Sequence, residues 1–360
     1  VGLAGVLVFY IYIKKVNWVS MAIFAATLLA ITVNEPSTIW SPYNRLDLSP
    51  VVFEDDDGAL IEVGVELTVQ HAWYQSAVDL STEFLSVLRE RAPEEGEALA
   101  KMAESYNLPY WLVPAGSQVV VVGSGMGNNV AAALRNGMGR IDAVEIDPAI
   151  VELGIQYHPE NPYSNQQVQV IVDDARSFFN KTSNRYDLVV FGLLDSHTLL
   201  SGFSSVRLDS FVYTLESFRQ ARAMLKDDGY LALTFDANDW IRERLGRMVV
   251  EVFGAENVFM YEGNRDVTFV ASANPVQAEQ MDILARWQPD PAYADLPLTT
   301  DDWPYVYMRA RSIPSGYWQT YLVIGLLCFG MMARTFPESL RPDWKFFLLG
   351  AAFLLIEFKS

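Results

Sequence analysis

Short apolar runs, separated by turns and helical segments, predict a ladder of buried strands through the middle of the chain. A continuous apolar run without alternation is typical of a strand covered on both faces, as in a parallel sheet. This order favours an α/β fold and places a ligand at the carboxyl edge of the sheet. The predicted strands are Val119–Val122, Val144–Asp147, Val168–Val172, Tyr186–Phe191 and Leu225–Leu233.

A smaller lobe is predicted before this ladder and a linker after it. Two β runs between Leu46 and Thr68 predict a β-rich lobe. Helical segments are expected from Gln75 to Tyr106, interrupted at Pro93, because proline lacks the N–H that a helix interior needs. The expected divisions are a linker and β lobe over residues 34–70, the α/β domain over 71–290 and a linker over 291–315.

A glycine-rich turn after the first buried strand carries the strongest functional signal. Gly123, Gly125 and Gly127 let the backbone approach a ligand closely, and the N-terminus of the next helix offers unpaired N–H groups. Glu145 ends the second strand, where it is placed to accept hydrogen bonds from ribose hydroxyls. Together these features predict a nucleotide-type site on a Rossmann-like fold.

Residues 41–260 resemble the class I S-adenosylmethionine-dependent transferase fold, and within it the spermidine synthase family. Tyr74 and Gln75 match the pair that lines the active site of that family. Glu145 matches its ribose-binding acid, and Asp174 matches the acid on the adenine side. The resemblance implies S-adenosylmethionine or decarboxylated S-adenosylmethionine as the cofactor.

Two positions depart from the family pattern on the side that handles the amine. Met126 stands where the family carries an Asp that holds the amino group of the decarboxylated cofactor, and Gly192 replaces its catalytic Asp. The second acid of that motif remains as Asp195. His197 could take a proton from an amine or hydroxyl nucleophile, with Asp195 orienting it or binding a cationic group. The alternative is a pair that only orders its loop.

A second resemblance is to a group of membrane-embedded proteins that are themselves similar to spermidine synthase. This resemblance implies a membrane protein, and it brings no particular reaction with it. The segments that carry it are Asp195–Thr198, Arg207–Thr214, Thr300–Tyr305 and Gly350–Glu357.

Four apolar segments lie outside the α/β domain, namely Gly2–Ile13, Asn17–Val33, Tyr317–Ala333 and Trp344–Phe358. The second has about the shortest length that spans a bilayer, and the third begins with Trp318 and Tyr321, which are interfacial residue types. We expect membrane helices over residues 1–33 and 316–360, with buried core helices as the alternative. The chain begins without methionine, so we expect a piece of a longer multi-pass protein.

Two observations disagree about which side of the membrane the domain faces. Lys14 and Lys15 lie between the first two apolar segments, and Arg334, Arg341 and Lys345 accompany the last two. The positive-inside rule makes those short loops cytoplasmic and turns the domain outward. S-adenosylmethionine is a cytoplasmic metabolite, which favours the opposite orientation. We expect a multi-pass protein of the plasma (inner) membrane with a cytoplasmic domain.

The composition excludes some classes of partner. The 360 residues carry a net charge of −18, which would repel the phosphates of nucleic acid and disfavours docking on an anionic lipid surface. A cationic substrate such as a polyamine would be attracted, and an acidic surface that only solvates the protein is the alternative. The three histidines lack paired ligand spacing, so we expect no metal site, and His158 is expected to be structural.

Two functions from different classes are consistent with these patterns. The first is an enzyme that transfers the methyl or aminopropyl group of S-adenosylmethionine, or of a relative, to a small or lipid-soluble acceptor. Asp195 and His197 would remove the proton of the acceptor, and Tyr74 and Gln75 would position it. The second is a subunit of a membrane protein complex, or a homo-oligomer, whose transferase fold has lost its chemistry. An NAD-dependent oxidoreductase suits the later motifs less well.

Overall fold

The structure is a computed structural model of the chain. It describes residues 38–55, 57–69, 72–192, 208–236, 238–263, 266–312, 315–335 and 348–349. The chain divides into two compact units, Val1–Arg309 and Ala310–Ser360. The described part of the first unit contains two β-sheets, and that of the second contains a long apolar helix.

The smaller sheet is an antiparallel meander near the start of the first unit. Its strands, in spatial order, are β1 (Ile39–Trp40), β2 (Arg45–Glu54), β3 (Leu60–Val69) and β4 (Ala72–Val78). Leu46, Leu67 and Val69 are buried on its inner face. The register of β3 with β4 shifts after Leu67, which leaves Tyr74 as an extra residue on β4. Such a bulge re-aims the side chains around it.

Residues 75–78 differ from the sequence prediction, which began a helical segment at Gln75. They form the end of β4, because pairing with β3 satisfies their backbone groups, so the sheet extends past residue 70. The first helix begins only after Ser81, whose hydroxyl caps it. Pro93 interrupts the helical segment as expected, and it lies at the start of the second helix, where its missing N–H is harmless.

The larger sheet has eight strands, and each of the five predicted strands overlaps one of them. The second ends at Glu145 and not at Asp147, which instead caps the next helix. The eight strands are β5 (Gln118–Val122), β6 (Arg140–Glu145), β7 (Val168–Val172), β8 (Tyr186–Phe191), β9 (Leu225–Phe235), β10 (Val258–Glu262), β11 (Val267–Ser272) and β12 (Ala285–Arg286). The spatial order is β12-β10-β11-β9-β8-β5-β6-β7, parallel from β9 to β7 and antiparallel at the other end. The carboxyl ends of β5 and β6 therefore meet at one edge, as the predicted α/β order requires.

Apolar clusters cover both faces of this sheet. Val120 and Val122 belong to one cluster, and Val119 and Val121 to the other, which explains why this run lacks polar alternation. The packed helices are α1 (Thr82–Arg91), α2 (Pro93–Asn107), α3 (Asn128–Arg135), α4 (Pro148–Tyr157), α5 (Ala175–Lys181), α6 (Leu215–Ala223), α7 (Asp239–Phe253) and α8 (Val276–Glu279). Short 3₁₀ turns lie at Leu108–Leu112, Pro162–Ser164, Leu208–Tyr213, Ala255–Asn257 and Pro291–Tyr293.

The strap, residues 297–309, is held to the rest of the first unit by Arg244 of α7. This guanidinium is fully buried and lies 5.0 Å from the ring centroid of Trp240 and 5.2 Å from that of Trp303. It donates hydrogen bonds to the main-chain oxygens of Pro297, Tyr305, Val306, Met308 and Arg309. Burial lowers the pKa of Arg244 to about 10.

The long helix of the second unit is α9 (Ser315–Thr335). Its segment Gly316–Thr335 is apolar, unburied and long enough to cross a bilayer, and it is the one helix in the described ranges that meets this test. A single such helix does not show membrane embedding, which stays a prediction. The predicted segments 2–13 and 17–33 lie outside the described residues, as does 344–358 apart from two leucines.

Candidate functional site

The glycine loop, residues 123–127, joins β5 to α3 at the carboxyl edge of the parallel strands. Gly123, Gly125 and Gly127 have φ angles of +68°, +55° and +116°, a region that L side chains rarely occupy. A Cβ on Gly125 would also lie 2.4 Å from Oε1 of Gln75. Glycine is therefore required at this position by backbone conformation and by the close approach of β4.

The N–H groups of the loop are all paired within the protein. They therefore do not add to the unpaired N–H groups that the sequence predicts at the start of the next helix. Each donates to an oxygen of the chain: Gly123 and Ser124 to the Val144 carbonyl, Gly125 to Glu145, Met126 to Gln75 and Gly127 to the Ser124 carbonyl. A ligand at the loop must therefore find its hydrogen-bond donors elsewhere.

Glu145 ends β6 beside the loop, where the sequence predicts the ribose-binding acid. Its Oε2 accepts a 2.9 Å hydrogen bond from the Gly125 N–H, and its Oε1 accepts a 3.0 Å bond from the Asp147 N–H. The side chain is buried, and this burial raises the pKa of the carboxyl group. Each carboxylate oxygen has a further lone pair, so ribose hydroxyls can still donate to it.

Tyr74 and Gln75 reach the loop from β4. The bulge at Tyr74 breaks the strict alternation of the strand, so that Tyr74 packs on the inner apolar cluster while Gln75 also contacts the loop. Oε1 of Gln75 accepts a 3.1 Å hydrogen bond from the Met126 N–H. Its Nε2 is buried and has no hydrogen-bond partner among the described residues. A buried donor of this kind is costly unless a ligand satisfies it.

Met126 contributes only packing at the position where the spermidine synthase family carries an acid. The side chain is 1% exposed and belongs to the apolar cluster formed by the N-terminal sheet and α4. Leu46, Leu67 and Leu153 are members of the same cluster. A carboxylate here would be buried among apolar groups, so the departure from the family pattern is also a departure in chemistry.

Residues 158–163, which we call the buttress, support the loop and include a contact that the sequence did not predict. The Tyr163 hydroxyl lies 2.6 Å from the Gly125 carbonyl oxygen and 2.9 Å from the Ser124 Oγ. A Cβ on Gly127 would lie 2.8 Å from Pro162, so this ring closely approaches the end of the loop. The density of turn-forming residues directly after α4 is the signal that could have drawn attention to this segment.

His158 in the buttress connects α3 with β4. Its Nδ1 accepts a hydrogen bond from the Glu160 N–H, so its Nε2 carries the proton and donates to Oδ1 of Asn128 at 3.0 Å. Asn128 in turn donates to the Ser76 carbonyl oxygen at 2.7 Å. Burial lowers the pKa of His158 to about 4, which keeps the ring neutral. These contacts give His158 the structural role that the sequence suggested.

Asp174 follows β7 at the same edge of the sheet. Its Oδ1 accepts a 2.9 Å hydrogen bond from the Ser177 N–H and caps α5. The neighbouring Asp173 pairs with Lys181 at 2.8 Å, and this hydrogen bond lowers the pKa of Asp173. Asp174 therefore orders the start of α5, and its contact with adenine stays a prediction.

Gly192, at the end of β8, lies directly against the glycine loop. Its N–H donates to the Val122 carbonyl oxygen, and a Cβ at this position would lie 2.8 Å from the Gly123 carbonyl oxygen. A side chain would therefore require the loop to move. The catalytic candidates Asp195 and His197 lie outside the described residues, so their roles stay predictions.

The groups around the loop fit an adenosyl sulfonium cofactor. Glu145 retains lone pairs for ribose hydroxyls, and Gln75 presents a buried donor that a ligand acceptor would satisfy. Gly125 permits the close approach of that amide to the loop, because a Cβ there would collide with it.

The same region matches a known protein family. The family model described as "Spermine/spermidine synthase domain" matches residues 104–252. The chain contains a spermidine synthase-like domain. The match begins in α2 and ends in α7, so it includes the glycine loop, Glu145 and Asp174. It does not reach Tyr74 and Gln75.

Relatives of the spermidine synthase-like domain include transferases of two kinds. A polyamine aminopropyltransferase of Korarchaeum cryptofilum is 25% identical over 142 residues, which are 38% of this chain and 41% of that protein. An N-terminal histidine N-methyltransferase of Emericella nidulans is 30% identical over 146 residues, which are 39% of this chain and 23% of that protein. The matches span less than half the length of these relatives. The spermidine synthase of Thermotoga maritima is 16% identical, with a TM-score of 0.45 over 79% of this chain and 86% of its own.

Proposed function

We propose that the spermidine synthase-like domain is a transferase. It would bind S-adenosylmethionine or decarboxylated S-adenosylmethionine and transfer a methyl or aminopropyl group to a small or lipid-soluble acceptor. The observation that carries the proposal is the glycine loop tied to Glu145 at the carboxyl edge of the parallel strands. The names of the relatives support both types of transferred group.

The proposal assigns the described residues to binding and alignment. Glu145 would accept hydrogen bonds from the ribose hydroxyls, and Asp174 would lie on the adenine side. Tyr74 and Gln75 would line the part of the pocket where the acceptor meets the transferred group. Because displacement needs the nucleophile in line with the breaking bond, this alignment is the main contribution of these side chains.

The proton of the acceptor must leave as the new bond forms. The cofactor, when bound, supplies a carbon attached to a positively charged sulfur. A lone pair of the acceptor forms a bond to that carbon while the carbon–sulfur bond breaks and leaves its electrons on sulfur. Asp195 or His197 would take the proton that the acceptor loses. A cationic acceptor such as a polyamine suits the net charge of −18.

The proposal includes a membrane anchor. The apolar side chains of α9 are exposed, and Trp318 and Tyr321 near its start are residue types that favour the membrane interface. We place the protein in the plasma (inner) membrane with its domain on the cytoplasmic side, where S-adenosylmethionine is made. Membrane lipid would then surround α9 and would bring a lipid-soluble acceptor to the domain.

Two observations favour a second function, that of a non-catalytic subunit in a membrane protein complex or a homo-oligomer. Met126 is buried in apolar packing, and Gly192 leaves no space for a side chain against the loop. Both positions carry acids in the spermidine synthase family that this chain resembles. A subunit of this kind would co-purify with partners in fixed stoichiometry.

Product analysis on the detergent-solubilised full chain tests the enzymatic proposal. The protein is incubated with each form of the cofactor and with polyamine or lipid-extract acceptors, and the released thioether nucleoside is measured. Methyl transfer yields S-adenosylhomocysteine, and aminopropyl transfer yields methylthioadenosine. Glu145→Ala should weaken nucleoside binding at least about tenfold, since it removes a charged acceptor. Glu152→Ala, an exposed acid on α4, is the matched control.

Absence of both product and nucleoside binding at millimolar concentration would contradict the proposal, because binding would then be weaker than about −4 kcal/mol. Binding without product, in a preparation with stoichiometric partner proteins, would instead support the second function.

A further inference from the structure

The glycine loop offers little to a positively charged cofactor tail. Met126, at the position nearest to such a tail in the family that the chain resembles, is uncharged and buried in the apolar cluster. Both oxygens of Glu145 accept hydrogen bonds from main-chain N–H groups, and the proposed function assigns their remaining lone pairs to the ribose hydroxyls. The loop therefore lacks the dedicated carboxylate that would hold an ammonium group.

The loop also has an orphaned side-chain donor beside it, in a residue that the structure describes. The N–H groups of residues 123–127 are all paired internally. Nε2 of Gln75 is buried without a partner, and it lies 3.1 Å from where a Cβ on Gly125 would be. Glu145 accepts a hydrogen bond from the Gly125 N–H. A nucleoside held by Glu145 would therefore lie along Gly125 and extend towards the Gln75 amide.

The orientation of this amide is determined by its neighbour. Oε1 of Gln75 accepts the hydrogen bond of the Met126 N–H. A flipped amide would place its own N–H₂ group against that N–H, so that two donors would face each other. The group left without a partner is therefore a donor, and its natural partner is an acceptor such as a carboxylate.

We infer that Gln75 forms a carboxylate subsite and that the domain selects intact S-adenosylmethionine over the decarboxylated form. This inference rests on the proposed function and specifies which cofactor the same site takes. It assigns Gln75 to the tail of the cofactor and leaves Tyr74 on the acceptor side. The intact cofactor carries a carboxylate that satisfies Nε2. Both forms carry an ammonium group, but the decarboxylated form has lost the carboxylate, so its tail offers only donors and would leave the buried amide unpaired. Methyl transfer then becomes the favoured reaction of the site.

Calorimetric titration of the solubilised full chain with three ligands tests the inference. Methylthioadenosine lacks the amino-acid tail and reports on the nucleoside half of the site alone. Intact S-adenosylmethionine should bind about tenfold or more tighter than the decarboxylated form, as expected for one charge-assisted hydrogen bond gained and one donor left unpaired.

Gln75→Glu provides the decisive variant. The new carboxylate keeps an oxygen for the Met126 N–H and presents a second, negatively charged oxygen in place of the donor. The preference should reverse towards the decarboxylated form, while the affinity for methylthioadenosine stays within about twofold and shows that the site is folded. Gln166→Glu, exposed in the turn before β7, adds the same charge and should leave the preference unchanged.

The outcomes separate the inference from the proposal on which it rests. If methylthioadenosine binds while the two tailed ligands bind equally, or while Gln75→Glu leaves their ratio unchanged, the carboxylate subsite is wrong and the nucleoside site stands. If none of the three ligands binds the wild-type protein, both are wrong.

Discussion

Gly125 is held by side chains from three distant parts of the chain. Its N–H donates to Glu145, its carbonyl oxygen accepts from Tyr163, and the amide of Gln75 lies directly over it. These contacts come from the central sheet, the buttress and the N-terminal sheet. The conformation of Gly125 therefore depends on the packing of all three parts. A small displacement of this residue would change the geometry of the nucleoside site.

Replacement of Gly125 by alanine tests this dependence at the residue scale. The Cβ would meet Oε1 of Gln75 at 2.4 Å, in addition to the cost of a positive φ, which is about 1–2 kcal/mol for an L residue. We expect the affinity for methylthioadenosine to fall more than about tenfold. Gly116→Ala is the matched control, because Gly116 also has a positive φ but nothing within 4 Å of its Cβ position. Equal affinities in the two variants would show that contact with Gln75 does not matter.

At the scale of elements, the buttress joins β4 to the Rossmann-like domain. His158 bonds Asn128, which bonds the Ser76 carbonyl oxygen, and Glu160 accepts from the Leu80 N–H at 3.0 Å. The strand that bears Tyr74 and Gln75 is thus positioned by a turn that is distant from it in sequence. The neutral state of His158 is part of this connection, since its Nδ1 must remain an acceptor.

Acidification should break this connection, and the sign follows from the pKa of His158. That pKa is lowered to about 4 in the folded protein, mainly by burial, whereas an unfolded histidine titrates near pH 6.5. Between these pH values only the unfolded state takes up the proton, so the contribution to stability is fully present above about pH 6.5 and is lost as the pH falls towards 4. The loss amounts to about 3 kcal/mol in the free energy of unfolding.

The measurement is urea denaturation at several pH values between 4 and 7, on the wild type and on His158→Gln. Glutamine retains a donor for Asn128 but does not titrate, so the stability of the variant should depend less on pH. Other titrating groups affect both proteins alike and cancel in the comparison. Parallel curves for the two proteins would contradict the role assigned to His158.

At the scale of the whole first unit, two arginines hold the strap: Arg244, which is buried, and Arg176, which pairs with the exposed Asp301. Arg244 bonds the strap almost entirely through main-chain oxygens, while Arg176 pairs with Asp301 through two 2.8 Å hydrogen bonds. A planar guanidinium can satisfy several carbonyl groups at once, which a lysine ammonium cannot. The strap is the last part of the first unit before α9, so these contacts fix the end of that unit.

Arg244→Lys should therefore destabilise the protein strongly although the charge is kept. Several strap carbonyls would lose their donor in a buried environment, at a cost of about 1–3 kcal/mol for each unsatisfied group. We expect a loss of about 3 kcal/mol or more, measured by thermal or urea denaturation. Arg242→Lys on the same helix alters only pairs with the exposed Asp239 and Glu262 and should change stability by less than about 1 kcal/mol. Similar losses in the two variants would refute the special role of Arg244.

The sequence by itself determined the features that depend on neighbouring residues. The apolar runs of the central strands, the glycines of the loop and the acid at the end of β6 were all predicted, because strand burial, positive φ and strand-end position leave local patterns. The family resemblance identified Gln75 for the same reason, as a short motif. The helix predicted to start at Gln75 was wrong, because pairing with β3 overrides local propensity.

Only the tertiary structure decided how these residues meet. Four features each depend on contacts between segments that are far apart in the chain. They are the bulge at Tyr74, the burial of Met126, the internal pairing of the loop N–H groups and the contact of Tyr163 with Gly125. No local pattern records such pairings, since each depends on the register and packing of two separate elements. The physical reason is that hydrogen-bond satisfaction in a buried site is a property of the assembled fold.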